Sequence, residues 1–252
     1  MTSSEWILLF IIATLGHVMA LLWYVALKRN WAICQRTIYA LPIKEAQIRR
    51  ELKNSTHTPL HAVLLLFFLW MGFFRDSGAL TAFLTLVATA VWAEIWHYSS
   101  HRAMHLQKLH WIHVEHHRSH LNTPFTAISF SFWEKLIFDL GLLIPLALAN
   151  LILPVNFGGI ALWYIGYLII NSFSHANFEF RGPGYTRVFG AVLTTTTYHS
   201  LHHSRYTGNY GLGTRILDRM FGTEWPDYLQ VYERVAEKHD PLKGLRERVE
   251  KA

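Results

Sequence analysis

The chain has 252 residues, of which 52% are hydrophobic, 15% aromatic and 16% charged. A soluble domain carries about a quarter of charged residues, so this composition favours a membrane protein. The formal net charge is +6, but no nucleic-acid-binding motif accompanies it, and nucleic acid is not an expected partner. The single cysteine, Cys34, excludes a scaffold built on internal disulfides.

The first apolar run extends from Trp6 to Leu27 without a charged residue, which is long enough for a helix that crosses a bilayer. A signal peptide is the alternative, but it would begin with basic residues and have a shorter apolar run. Here Lys28 and Arg29 follow the run instead. We therefore expect a retained transmembrane helix, with His17 hydrogen-bonded between helices.

Two later apolar blocks predict helical hairpins. Residues 60–74 and 79–96 are joined by the turn RDSG, and residues 137–171 are interrupted by PVNFGG at 154–159. The run 60–74 is short for a full span. The loop 28–58 is rich in lysine and arginine, so the positive-inside rule places it in the cytoplasm and the N-terminus outside.

The predicted fold class is an all-α integral membrane protein with about five membrane-crossing helices, namely one N-terminal helix and two helical hairpins. Both hairpins return the chain to the cytoplasmic face, where a helical cap carries the histidines. No repeat or low-complexity linker divides the sequence, so residues 1–252 are expected to form a single membrane-embedded domain.

Histidine is concentrated in a few short segments. The chain has 16 histidines, and half of them lie between His97 and His120. Three groups have spacings that place their side chains on one helix face, and one more histidine stands between them: His97, His101 and His105; His113, His116 and His117; His199, His202 and His203; and His175. Since imidazole binds zinc, copper, iron or nickel, these groups predict a metal site at the cytoplasmic ends of the helices.

These histidines are too many for one tetrahedral zinc ion with four ligands, and two ions share them well. Glu94 and Glu115 lie beside or inside the groups and are expected to support the ligands or the fold. Five other histidines fall outside the repeated spacings and are expected to be surface or interface residues: His57, His61, His110, His120 and His239.

The segments HYSSHRAMH, HVEHH and HSLHH resemble the three histidine boxes of the fatty acid hydroxylase / sterol desaturase superfamily of integral-membrane di-iron enzymes. SHANFEF and NYGLGTRILDRMFGT resemble two further segments of that superfamily, and the resemblance extends from about Trp92 to Trp225. It implies O₂-dependent hydroxylation or desaturation of a C–H bond in a membrane lipid, with two iron ions, and O₂ as co-substrate. Hydroxylation is the preferred expectation.

The resemblance also implies roles for particular residues. Ten histidines are the expected catalytic and metal-binding residues, with the choice within the first box left open: His97, His101, His105, His113, His116, His117, His175, His199, His202 and His203. Some members have a second histidine after the internal one, where this chain has Glu179. Asn177 is therefore an expected weak metal ligand, and Asn171 is the alternative.

An external electron donor of the cytochrome b5 or ferredoxin type is expected, because no such segment is seen in the sequence. Five basic residues near the boxes are candidates for its docking face: Arg102, Lys108, Arg118, Arg205 and Arg219. Fatty acyl, sterol and sphingoid chains all suit an apolar wall of Trp92, Trp96, Phe125, Phe130, Phe132, Trp133 and Phe173. The alternatives are a non-enzymatic membrane metal-binding or transport protein and a zinc-dependent membrane hydrolase.

Overall fold

The computed structural model describes residues 1–249, which form helices and no β-strand. This confirms the all-helical part of the predicted fold. The helices are α1 (Ser3–Lys28), α2 (Glu45–Asn54), α3 (Leu60–Trp70), α4 (Ala79–Met104), α5 (His110–His117), α6 (Phe132–Ala149), α7 (Phe157–Ser174), α8 (Tyr185–Val188), α9 (Thr196–Arg205), α10 (Ile216–Met220) and α11 (Tyr228–Ala236).

Three of these helices are long and apolar enough to cross a membrane: α1, α4 and α7. Helix α3 has 11 residues, which at 1.5 Å per residue is about half of a bilayer core. Helix α6 has 18 residues but includes Glu134, Lys135 and Asp139. It also begins at Phe132 rather than 137, because Ser131 caps its first turn through Glu134 N. The structure thus supports a membrane bundle, and the count of five spans stays a prediction.

Helices α1, α4 and α7 run in the same direction, while α3 and α6 return between them. The beginnings of α4 and α7 meet at Gly159, where an added Cβ would lie 2.4 Å from the carbonyl oxygen of Ala82. At the other end, the ring of Trp23 in α1 lies 4.6 Å from that of Phe173 in α7. The last turns of the three long helices are therefore on one side of the bundle.

A proline inside α6 is matched by a side chain of α4. Pro145 has no N–H, so the carbonyl of Gly141 lacks its helical donor. The indole Nε1 of Trp92 donates to that carbonyl at 2.9 Å. Gly141 also leaves room for Trp96, whose indole would lie 2.0 Å from an added Cβ. The shapes of α4 and α6 are therefore complementary where Trp92 and Trp96 contact Gly141.

The outer faces of the long helices are apolar and exposed. Phe10 on α1 is 69% exposed and Leu80 on α4 is 70% exposed, which would cost solubility in water but suits contact with lipid. Inside the bundle, Ile12, Leu65, Leu143 and Ile160 are fully buried. The bundle is thus apolar both in its interior and on its outer surface, as a membrane domain requires.

A second core lies beyond the histidine end of the bundle. Helices α9 and α11 pack there, with Tyr198, Leu201, Val231 and Tyr232 fully buried. Together with α2, α5, α8 and α10 they form the cap that covers the ends of the long helices.

Candidate metal centre

The ends of four helices bring the predicted histidines together. His101 lies in the last turn of α4 and His105 caps that helix, while His175 caps α7. Helices α5 and α9 supply the remaining residues from the cap. Nine of the ten predicted histidines form two groups whose nitrogens lie within 4.8 Å of one another, and His97 is in neither: His101, His105, His113, His117 and His202; His116, His175, His199 and His203.

Neighbouring histidines in the sequence belong to different groups. His116 and His117 are divided between the two groups, and so are His202 and His203. Successive residues of a helix point about 100° apart, so each pair of adjacent histidines reaches in two directions. The two groups are consequently held at a fixed separation by α5 and α9.

The tautomers of most of these rings follow from their hydrogen bonds. A carbonyl or carboxylate oxygen can only accept, so a ring whose Nδ1 contacts one must donate from Nδ1 and keep its lone pair on Nε2. Six rings are fixed in this way: His101 to Tyr210 O, His113 to Glu134 Oε1, His116 to Ser129 O, His175 to Asn171 O, His202 to Gly208 O, and His203 to Ser119 O.

The unprotonated Nε2 atoms face one another, and this arrangement suits bound cations. Nε2 of His203 lies 3.2 Å from Nε2 of His175, and Nε2 of His116 lies 3.3 Å from the same atom. In the other group, Nε2 of His202 lies 2.9 Å from Nε2 of His117. Two nitrogens bound at about 2.1 Å and at right angles to one ion lie about 3 Å apart. The donor set therefore fits one metal ion in each group.

Unpartnered nitrogens support the same conclusion. Nε2 of His113 and both ring nitrogens of His105 are buried and have no hydrogen-bond partner among the described residues. Buried polar atoms without partners are costly and rare. A metal ion would satisfy Nε2 of His113 and one of the two nitrogens of His105.

Burial keeps the imidazoles neutral, as metal binding requires. Loss of hydration lowers the pKa of His116 to about 4 and that of His105 to about 3. Loss of hydration likewise lowers the pKa of His199, His202 and His203, and neighbouring imidazoles add to the effect. The site is therefore available to cations at neutral pH.

Glu134 is a candidate site residue that the sequence analysis did not single out. Its Oε1 lies 2.7 Å from Nδ1 of His113, and its side chain is fully buried. A carboxylate behind a metal-binding imidazole orients the ring and makes it a stronger donor. Its position at the start of a long apolar helix was the available signal, because a buried acid there needs a partner.

The other acidic and amide candidates have different roles. Asn177, predicted as a weak ligand, is not brought to either group, since its side chain exchanges hydrogen bonds with the backbone N and O of Tyr39. Glu179 accepts from Thr197 and from the Arg181 N–H. Asn171 borders the histidine chamber. Glu94 and Glu115 support the fold, as expected, through Thr214 and Arg50 respectively.

An apolar cavity of about 380 Å³ lies between α4, α6 and α7, within the range of small-molecule sites. It adjoins a small chamber among the histidines, and four side chains border both: His97, Phe138, Tyr167 and Leu212. The ring of His97 stacks on Phe138 at 5.3 Å. His97 thus stands between the cavity and the chamber instead of joining the histidine groups.

The cavity opens towards the outer surface of the bundle. Leu162 and Ile170 of α7 line it and are 54% and 44% exposed. Because this surface is the apolar one, the opening faces the lipid side of the bundle.

The predicted aromatic wall is only partly correct. Trp96 lines the cavity, and Phe130 lines the chamber and stacks on His116 at 4.9 Å. The others lie elsewhere: Trp92 and Trp133 border an open groove on the outer face, Phe125 packs against Tyr24, Phe173 packs against Trp23, and Phe132 is exposed. Lining residues such as Phe138, Tyr167 and Leu142 were missed, because helix periodicity does not show which apolar side chains border a space.

One residue of the predicted docking face is excluded by its environment. Arg205 is buried and makes two hydrogen bonds to the Asp227 carboxylate, at 2.6 and 2.9 Å. It stabilises the cap and cannot meet a partner protein. Arg102, Lys108, Arg118 and Arg219 are exposed.

The histidines outside the boxes take structural or surface positions. His57 Nδ1 donates to Phe130 O, and His61 Nε2 donates to Ile12 O. His110 contacts Tyr206, while His120 and His239 are exposed.

The class of the protein follows from these observations: it is an all-helical membrane protein with two buried groups of metal-binding histidines at one end of its bundle. Its family follows from comparison. Residues 85–223, more than half of the chain, match the family model "Fatty acid hydroxylase". The chain therefore belongs to the fatty acid hydroxylase family, within the fatty acid hydroxylase / sterol desaturase superfamily. All ten predicted site histidines lie inside the matched region.

Similar proteins carry longer chains. Very-long-chain aldehyde decarbonylase GL1-6 of Oryza sativa subsp. indica is 31% identical over 168 residues, which cover 62% of this chain and 26% of the relative. Very-long-chain aldehyde decarbonylase CER1 of Arabidopsis thaliana is 29% identical over 180 residues, 68% of this chain and 28% of the relative. The chain thus spans about a quarter of the length of these relatives. No solved structure matches it.

Proposed function

We propose that this chain, as a single membrane-embedded domain, is a di-iron, O₂-dependent oxidoreductase that hydroxylates or desaturates a C–H bond of a long-chain membrane lipid. The observation that carries the proposal is the direct adjacency of a lipid-sized apolar cavity and a chamber lined by the two histidine groups. Family membership supports the choice of iron and of lipid.

The histidines would hold two iron ions, and the pair would supply the activation of O₂. Six rings are aimed by their Nδ1–H bonds, which fixes the Nε2 donors before a metal binds. Three of those bonds go to main-chain carbonyls of the cap loops, from Ser119, Gly208 and Tyr210. The cap would therefore orient three of the six rings, while Asn171 of α7, Glu134 of α6 and Ser129 just before α6 orient the other three.

The side chains between the cavity and the chamber would select which carbon reacts. Phe138, Tyr167 and Leu212 lie with His97 between the cavity and the chamber. The reacting part of a lipid chain would have to pass these side chains, which would also keep bulk water out. A displacement of about 1 Å in the position of the carbon is enough to change the rate greatly, so these residues would set the position of oxidation.

Hydroxylation requires an outside supply of electrons. One oxygen atom of O₂ enters the C–H bond and the other leaves as water, which consumes two electrons and two protons. We propose a separate carrier of the cytochrome b5 or ferredoxin type. Arg102, Lys108, Arg118 and Arg219 would attract an acidic carrier to the histidine end of the protein, which we propose faces the cytoplasm.

A second candidate activity comes from the relatives, which are named as very-long-chain aldehyde decarbonylases. If this chain shares that activity, it would convert a long-chain aldehyde into a product shortened by its carbonyl carbon. The same apolar cavity would hold the chain of either substrate.

The test uses protein purified without O₂ and loaded with ferrous iron. The expected result is two irons per chain and, with ¹⁸O₂, an electron carrier and a lipid extract, a lipid product that gains one labelled oxygen atom. Loss of a pair of hydrogens without label would indicate desaturation, and a shortened product from an added aldehyde would indicate decarbonylation. Product formed without O₂, as from a zinc hydrolase, would overturn the proposal.

A His203→Ala variant is the matched control, since it should form no product. Metal passage across vesicles without lipid oxidation would favour a transporter.

A further inference from the structure

The apolar cavity has a charged pair in its wall. Nζ of Lys135 donates to Oδ1 of Asp139 at 2.9 Å, and the two side chains are 5% and 4% exposed. The hydroxyl of Tyr164 donates to the same Oδ1 at 3.3 Å. All three residues line the cavity. This pair lies among side chains such as Leu86, Leu142 and Leu162.

Hydrogen-bonding capacity is left over at this pair. Oδ2 of Asp139 is buried and has no partner among the described residues. The Lys135 ammonium has three N–H donors, and its one hydrogen bond within residues 1–249 is the bond to Asp139. Glu94, the other acid in the cavity wall, differs, because its carboxylate accepts from the backbone N and the hydroxyl of Thr214. A buried polar atom without a hydrogen-bond partner is costly. A polar group of a ligand in the cavity would supply the missing hydrogen bonds.

The pair lies at the histidine end of the cavity. Lys135 follows Glu134, which supports His113, and it comes one helical turn before Phe138, which borders both cavity and chamber. Away from this end, the cavity follows α4 from His97 back to Leu86, a distance of about 16 Å at 1.5 Å per residue. A bound lipid would therefore place its polar end near the histidines and its chain towards the middle of the bundle.

We propose that Lys135 and Asp139 bind the hydroxyl group of a long-chain lipid alcohol. The inference rests on the proposed function for the idea that the cavity receives the lipid substrate. A hydroxyl accepts from the ammonium through its oxygen and donates its proton to Oδ2 of Asp139, which satisfies both spare positions. A carboxylate or phosphate would be repelled by Asp139, and an aldehyde has no proton to donate. The carbons nearest the hydroxyl are then the ones closest to the chamber.

The test measures binding without turnover. The metal-loaded protein in lipid nanodiscs, without O₂ or reductant, is titrated with a saturated 1-alkanol and with the alkane, aldehyde and fatty acid of equal chain length. Hydrogen bonds to charged groups are stronger than those between neutral groups, so we expect the alcohol to bind at least about tenfold more tightly than the alkane. Equal affinity for alcohol and alkane would overturn the inference, and so would tighter binding of the acid or the aldehyde.

Two double variants separate recognition from folding. K135M with D139L removes both charges together, which a buried site tolerates better than the loss of one; it should keep metal content and alkane affinity and lose the preference for alcohol. K135Q with D139N restores a neutral donor and acceptor, and should regain part of the preference. A preference that survives in the first variant would exclude these residues. If the first variant does not fold, failure of the second to prefer alcohol overturns the inference equally.

The outcome is independent of the proposed chemistry. A protein that prefers the alcohol in this titration but forms no labelled product with ¹⁸O₂ supports the binding site and refutes the oxidase. A protein that oxidises lipids but shows no preference for the alcohol supports the oxidase and refutes the binding site.

Discussion

Nδ1 of His113 lies 2.7 Å from Oε1 of Glu134, and this contact joins the cap to the bundle. His113 belongs to α5, and Glu134 lies in the first turn of α6. The carboxylate can only accept, so the ring must offer Nε2 to the metal group that also includes His101 and His202. A residue of the membrane helix therefore determines the tautomer of a ligand in the cap.

We predict that Glu134→Gln weakens metal binding in that group by about tenfold to a hundredfold, because the charge that strengthens His113 as a donor is lost. The amide oxygen can still accept from Nδ1, so the fold should be retained. Competition with a chelator of known affinity measures the change. Glu115→Gln is the control: its carboxylate pairs with Arg50 and Arg118 at the edge of α5, and its metal affinity should equal that of the wild type. Equal losses in both variants would contradict the assignment.

Adjacent histidines should control different ions. His202 belongs to one group and His203 to the other, so each alanine variant should lower the metal content from two ions to about one. X-ray absorption would distinguish the remaining ions by the number of imidazole ligands. His57→Ala, which removes a hydrogen bond to Phe130 O outside both groups, should keep both ions. Loss of both ions in either variant of the pair would mean that the groups are one site.

His97 should affect the lipid rather than the metal. Its ring lies between the cavity and the chamber and belongs to neither group. We expect His97→Phe to retain the full metal content, because no Nε2 donor of either group is removed. The larger ring would narrow the space between the cavity and the chamber, so lipid oxidation should fall or move to another carbon. Loss of one metal ion in this variant would show that His97 is a ligand.

The contact between Trp92 and Gly141 offers a test of the bundle. Trp92→Phe leaves the half-buried Gly141 carbonyl without a donor in apolar surroundings, and the free energy of unfolding should fall by about 1–3 kcal/mol. In a Pro145→Ala background the same change should cost less, because the new N–H at 145 can donate to that carbonyl. Denaturation in detergent of the four proteins of this cycle measures the coupling. Additive losses would mean that Trp92 stabilises the bundle only through packing.

The orientation in the membrane can be tested by cysteine labelling in a Cys34→Ser background. The basic segment 28–58 and the histidine end of the bundle lie on the same side, because α1, α4 and α7 end there. A cysteine at Lys44 should therefore react only from the cytoplasm, and one at Thr2 only from outside. The reverse labelling would invert the proposed topology without changing the fold.

Helix periodicity alone predicted that His113, His116 and His117 lie on one face, and the structure brings them together with the other predicted histidines except His97. It could not divide the histidines between two groups, since the division depends on how α5 and α9 meet α4 and α7 in space. His97 has the spacing of a ligand, but the structure places its ring between the cavity and the chamber and in neither histidine group. Glu134, Lys135 and Asp139 lie together at the beginning of α6, and only tertiary contacts give each a separate role. The family resemblance suggested Asn177 as a weak metal ligand, but its side-chain amide is hydrogen-bonded to the backbone of Tyr39.

The histidines of each group come from both the bundle and the cap, which have separate hydrophobic cores. His101 and His175 extend from the bundle, whereas His117, His202 and His203 belong to the cap. His117 and His202 are themselves 85 positions apart in the chain. An ion bound in either group therefore acts as a cross-link that closes long loops of the polypeptide, and its binding energy contributes to folding. The two layers would separate more easily without the ions, so supply of metal would govern how much of this protein a cell retains in intact form.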